Sequence, residues 1–133
     1  MKSIIFDTNA YSNFKKGDPR IIKEIENCDK LIIASISVGE LYSGFYKGDR
    51  FEDNEKELKQ FLNNIYVKVI DMSINTAKIY GKIYSILVKK GTPIPTNDIW
   101  IAACAIETNS TLVTYDKHFL NIPHLKLWNG IKK

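Results

Sequence analysis

Apolar residues follow two rhythms along this chain, short unbroken runs and stripes at helical spacing, and the two alternate. Lys2-Ser-Ile-Ile-Phe-Asp7 is an apolar run closed by a carboxylate, and with Thr8-Asn9 behind it reads as a buried strand turning into a helix. Asp18-Pro19 offers an N-cap with proline in the first helical position, and Ile21, Ile22 and Ile25 give that short helix one apolar face up to about Asn27. Residues 31–34 form a second strand. Beyond residues 35–37, Val38, Leu41, Tyr42 and Phe45 recur at i, i+3, i+4 and i+7, so a helix carries Glu40 until Lys47-Gly48 ends it. A charged helix over 51–64 has a sparse stripe of Phe51, Leu58, Phe61 and Leu62, and residues 67–70 are a third strand. Ser73 caps a long helix over 74–90, striped by Tyr80, Ile83, Tyr84 and Leu87 and stopped by Lys89-Lys90-Gly91. Asn97-Asp98 opens an almost wholly apolar helix over 99–106. Residues 112–114 are a fourth strand, with Asp116 just past its end, and a last strand is expected near 126–128.

This alternation implies an α/β fold with a mainly parallel central sheet, flanked by helices on both faces. The 133 residues suit one domain spanning 1–133. With 44% hydrophobic and 26% charged residues and no biased tract or repeat, the composition excludes disordered, collagen-like and coiled-coil chains. The longest apolar stretch, 99–106, falls far short of the roughly 18 residues of a membrane-spanning helix. Asp7 interrupts any N-terminal signal core, so a cytoplasmic protein with no membrane association is expected. Cys28 and Cys104 form no Cys-x-x-Cys pair and have no zinc-like histidine spacing; two buried or half-buried thiols are expected.

Most acidic residues sit on charged helical faces, but four do not. Asp7 ends a buried strand, Glu40 lies in an apolar helix, Asp98 starts a buried one, and Asp116 follows the fourth strand. Ligands of open parallel sheets bind beyond the carboxyl ends of the strands, which places Asp7, Asp116 and the helix of Glu40 on one rim, and Asp98 reaches it if its helix packs there. Each has a plainer explanation when taken alone: a cap for Asp98 or Asp7, a turn for Asp116, an exposed helix edge for Glu40. Their convergence favours a shared site. Crowded carboxylates raise one another's pKa, and a hard divalent cation, Mg2+ or Mn2+, relieves the repulsion. The chain carries 19 Lys and Arg against 15 Asp and Glu, a net +4; with the four acids set aside the rest carries +8, suited to a polyanion. Candidate phosphate contacts are Lys15, Lys16, Arg20, Lys47, Arg50, Lys89, Lys90 and Lys117.

Four blocks carry a family resemblance: Phe6-Asp7-Thr8-Asn9, then Ile36-Ser-Val-Gly-Glu40-Leu-Tyr-Ser-Gly44, then Ile94-Pro-Thr-Asn-Asp98-Ile-Trp-Ile-Ala-Ala103, and Leu112-Val-Thr-Tyr-Asp116-Lys-His-Phe119. In this order and spacing the chain resembles the PIN-domain nucleases and, among them, the VapC toxins of toxin-antitoxin pairs. Trp100 stands where an aliphatic residue is usual, and Ala10-Tyr11 where an aliphatic pair is; neither touches an acid.

The resemblance implies a PIN-like fold and a Mg2+- or Mn2+-dependent endoribonuclease that hydrolyses RNA phosphodiesters to 5′-phosphate products. It implies Asp7 and Asp98 as principal metal ligands, Glu40 and Asp116 as the remaining catalytic and metal-site acids, and Thr8, Asn9 and Thr114 as polar residues that orient them. It further implies RNA as substrate, a small antitoxin protein as partner and a homodimer. Tyr42, Phe45 and Tyr46, on the helix of Glu40, are the candidate antitoxin contact, against a plainer role in packing. His118 and His124 read as solvated loop histidines. A haloacid-dehalogenase phosphatase would need a second Asp at position 9, where Asn9 stands, and a receiver domain has no use for Glu40 in a helix. The alternative to a toxin is a PIN module with a housekeeping RNA-processing role or a non-catalytic binding role.

Overall fold

The computed structural model describes residues 1–132. Four short strands, β1 (Ser3–Phe6), β2 (Lys30–Ala34), β3 (Val67–Ile70) and β4 (Thr111–Val113), form one sheet in the order β3-β2-β1-β4, with every neighbouring pair parallel. Parallel neighbours require crossovers. These are α1 (Thr8–Lys15) and α2 (Pro19–Glu26), then α3 (Ser35–Lys47) and α4 (Phe51–Leu62), then α5 (Ile74–Lys90) and α6 (Thr96–Glu107). The expected α/β architecture is therefore present. No helix among the described residues is long and apolar enough to cross a membrane.

Successive strand side chains point to opposite faces. Ile5, Ile32, Ala34 and Leu112 meet Ile83 and Leu87 of α5 and the apolar body of α6, while Ile4, Phe6, Leu31, Ile33 and Val113 meet Tyr11, Ile21, Leu41 and Leu58 from α1 to α4. Two covered faces explain why the central strands read as solid apolar runs rather than as alternations.

Local chemistry sets the helix ends. Asp18 accepts the Arg20 N–H at 2.9 Å ahead of Pro19. Ser73 and Thr76 exchange reciprocal side-chain to backbone bonds, a capping box, and Gly91 ends α5 at φ 71°, a left-handed conformation that favours glycine. Three expectations needed correction. α3 starts at Ser35, directly on the end of β2, and α6 starts at Thr96, so Asp98 lies inside the first turn rather than at the helix start. The strand expected at 126–128 is a single bridge between Leu127 and Leu112, where the Leu112 N–H reaches the Lys126 carbonyl and the Trp128 N–H reaches the Leu112 carbonyl.

The segment behind that bridge is clasped from outside. Arg20 donates to the Gly130 carbonyl at 2.7 Å and lays its guanidinium against the rings of Tyr115 and Trp128, while Trp128 Nε1 donates to Glu24 at 3.0 Å. A Cβ on Gly130 would lie 2.5 Å from the Trp128 ring, so this tight approach requires glycine.

Ile5, fully buried on the central strand that leads to Asp7, tests whether the sheet carries the fold. Ile5→Ala should lower unfolding free energy by about 2–5 kcal/mol, read from urea denaturation midpoints at unchanged slope.

Candidate active site

The strand ends bring the four acids together. Asp7 follows β1 directly and is the N-cap of α1, only 4% exposed. One of its carboxylate oxygens accepts the Ala10 N–H at 2.7 Å and the other accepts the Thr114 hydroxyl at 2.5 Å. Thr114, buried just beyond β4, also accepts the Asp116 N–H at 2.9 Å, so one hydroxyl links two of the acids. Glu40, half-buried on α3, accepts the Thr8 hydroxyl at 2.6 Å. Asp98 projects from the first turn of α6. Asp116 accepts the His118 N–H at 2.9 Å, and His118 Nδ1 stands 3.2 Å from the same oxygen.

Charge is crowded here. Burial pushes the Asp98 carboxyl up to about 6, and Asp116, Asp7 and Glu40 push in the same direction against a smaller opposing effect of His118. Burial also raises Asp7, opposed by its bonds from Thr114 and Ala10 and reinforced by Asp116 and Glu40. Among the described residues, no Lys or Arg forms an ion pair with any of the four acids.

Ligand atoms of Asp98, Asp116 and His118 all lie within 4.8 Å of one another. Asp7 and Glu40 stand outside that tight group but close enough to act on Asp98 electrostatically. His118 is exposed in the turn after Asp116, as the sequence suggests, but its ring also joins Asp98 and Asp116 in the one tight group of possible ligand atoms among the described residues, which sequence reasoning did not foresee. The available signal was an Asp-x-His spacing behind a strand, which gains meaning only once Asp98 is placed opposite. Thr8 and Thr114 bond the acids as expected; Asn9 is exposed and its side chain bonds none of them.

The aromatic residues on α3 behave differently from one another. Tyr42 donates to Glu55 at 2.8 Å and packs edge-on against Phe45, and both are half-buried against the core. Tyr46 is 72% exposed and stacks on Phe51 of α4 at 4.5 Å between ring centres. Of the eight candidate phosphate contacts, four are engaged: Lys15 with Glu57, Arg20 at Gly130, Arg50 with Asp53, and Lys90 on the Asn121 carbonyl. Cys104 is buried and Cys28 half-buried, both as free thiols.

An acid held near 6 against an ordinary value of 3.8 binds its proton more tightly in the folded state. Its contribution therefore favours folding at low pH and is lost as pH rises from about 4 through about 6. Without divalent ions, Asp98→Asn should raise the melting temperature above wild type by about 2–5 °C at pH 7.5. That gain should vanish near pH 4, as followed by calorimetry across the range.

Comparison with known proteins gives a consistent picture. The PIN domain family matches residues 4–125. The chain is similar to the ribonuclease VapC2 of Rickettsia felis, 39% identical over 103 residues that cover 77% of this chain and 75% of that protein. It is similar to the ribonuclease VapC1 of Haemophilus influenzae strain R2866, 30% identical over 128 residues, 92% of this chain and 93% of that one. The structure of VapBC2 from Rickettsia felis bound to a DNA fragment from its promoter superposes with a TM-score of 0.86 at 31% identity, covering 95% of this chain and 97% of that one.

Proposed function

Because this chain belongs to the PIN-domain family, among the VapC ribonucleases, we propose that it is a divalent-metal-dependent endoribonuclease and the toxin of a toxin-antitoxin pair acting in the cytoplasm. The observation that carries the reading is the gathering of four carboxylates at one strand-end rim with no lysine or arginine paired to them among the described residues. Such a set suits a hard divalent cation, since oxygen donors and unneutralised charge are what Mg2+ or Mn2+ requires. Asp98 and Asp116 would hold it, with Asp7 and Glu40 completing the acidic surround and His118 at its edge. When bound, the cation would acidify water and stabilise charge on the phosphate.

The chain's own residues have distinct tasks. Thr114 and the Ala10 N–H occupy both oxygens of Asp7 from the protein side, which fixes that carboxylate's direction. Thr8 fixes Glu40 in the same way, leaving its second oxygen free to orient water. Asp116 is fixed through its backbone by Thr114 and through its carboxylate by the His118 N–H. Proton removal from water is assigned to a carboxylate of the four rather than to His118, whose exposed ring sits at the edge of the group with Nδ1 turned to Asp116.

An antitoxin supplied by a neighbouring gene would then cover this rim. The exposed Tyr46, with Tyr42 and Phe45 beneath it, is the aromatic surface such a protein would seize, and the toxin would act as a homodimer.

Two measurements test the reading. Asp98→Asn and Asp116→Asn should abolish cleavage of RNA in Mn2+ while leaving the circular dichroism spectrum unchanged, and Thr114→Val should retain cleavage at about 10–100-fold reduced rate. An RNA cut equally well by wild type and Asp98→Asn would leave a non-catalytic or housekeeping PIN module as the better account. Mn2+ at a hundred times its dissociation constant should stabilise the wild-type protein by about 2.7 kcal/mol, and Asp98→Asn should lose most of that gain, read by thermal unfolding.

A further inference from the structure

Beside Asp116 lies an open groove of about 380 Å³, lined by Asn9, Ser12, Asn13, Lys16, Tyr115 and Asp116. Four of these occupy one stripe of α1 and its C-cap, at i, i+3, i+4 and i+7, while the opposite face of the helix buries Ala10 and Tyr11. The stripe is unusual in being unspent. Among the described residues, the side chains of Asn9, Ser12, Asn13 and Lys16 make no hydrogen bond or ion pair, although the adjacent Lys15 turns to Glu57 at 3.3 Å. Helical rise puts Lys16 about 10 Å along the axis from Asn9. The groove thus runs from the acidic centre to a free ammonium.

Tyr115 closes one wall and is rigid. Its hydroxyl donates to Asp18 at 2.7 Å and its ring is held between the Arg20 guanidinium and Trp128. Two amides, a hydroxyl and a lysine against a fixed aromatic edge make a poor seat for a protein, whose interfaces depend on buried apolar anchors. They suit an unpaired nucleotide strand: carboxamides both donate to and accept from base edges, and an ammonium holds a phosphate.

Building on the ribonuclease reading, we propose that this α1 groove seats the single-stranded RNA that flanks the scissile phosphate. Asn9 and Asn13 contact a neighbouring base, and Lys16 grips a phosphate beyond it. Sequence preference at that position is then set by α1 and not by the acids.

The test uses the full chain and a panel of short single-stranded RNAs that differ in the base on either side of the cut. Lys16→Gln should raise KM about fivefold to tenfold with far less change in kcat, and should flatten the dependence of log KM on log salt by about 0.7, the share of one phosphate on a single strand. Asn13→Ala should change the ranking of substrates at one flanking position. Unchanged KM, salt slope and ranking in both variants would overturn the proposal, as would variants that weaken only binding of a protein partner. Binding of the same RNAs by the Asp98→Asn protein, with and without Lys16→Gln, separates the two readings. Loss of binding on Lys16→Gln with no cleavage by wild type would retain the groove and reject the nuclease, whereas equal binding would reject the groove whatever the wild type cuts.

Discussion

The hydroxyl of Thr114 is donor to Asp7 and acceptor from the Asp116 backbone, and through it the neighbouring strands β1 and β4 share one polar hinge at their carboxyl ends. Remove that bond and a carboxylate with almost no solvent access loses one of its two protein partners, in a setting where burial already disfavours its charge. The rest of the rim is arranged around this constraint. Parallel pairing of β1 with β4 brings Thr114 beside Asp7, and the direct passage from β1 into α1 supplies the Ala10 N–H as second partner. Sheet register thus sets Asp7 beside Thr114 and Asp116, and the packing of α3 and α6 brings in Glu40 and Asp98.

Bonding within the rim is economical, but its net charge is not balanced. Asp7, Glu40 and Asp116 each find a neutral donor, yet among the described residues none of the four acids finds a lysine or arginine, so burial and, after it, repulsion from the other three raise Asp98. A fold maximising its own stability would put an arginine there. The cost is tolerated because the body of α6 is apolar and deeply buried, with Ile99 and residues 101–105 anchoring the helix that carries the unfavourable acid. Stability and chemistry are thus divided between adjacent turns of one helix.

Much of this was legible in the chain because local signals and tertiary packing agree. β3 and α5 have the bounds read from sequence, 67–70 and 74–90, since a serine cap and a left-handed glycine mark the helix physically. The onset of α6 was not legible: Pro95 supplies no side-chain cap, so Asn97-Asp98 looked like the start when Asp98 is already in the first turn. Residues 126–128 have the composition of a strand, but a strand needs a partner along its length, and only Leu127 finds one. His118 was illegible for a different reason. Its proximity to Asp98 joins α6 to the turn after β4, a contact no periodicity encodes. The four acids could be read because each breaks the pattern of the element that carries it.

The clasp of Arg20 on Gly130 and Trp128 has a mechanical consequence. Tyr115, one residue before Asp116, is held on one side by Trp128 and on the other by the Asp18 carboxylate and Arg20 guanidinium, so the C-terminal segment acts as a splint for the backbone that presents an acid of the rim. That segment is attached to the sheet by one bridge, not by a ladder of bonds. A proteolytic cut between Ile122 and Leu127 would therefore leave the four strands paired, loosen Trp128 from the apolar layer it joins, and unbrace Asp116. The chain thereby separates its most robust part, the packed sheet, from the part that a single peeling event can disable.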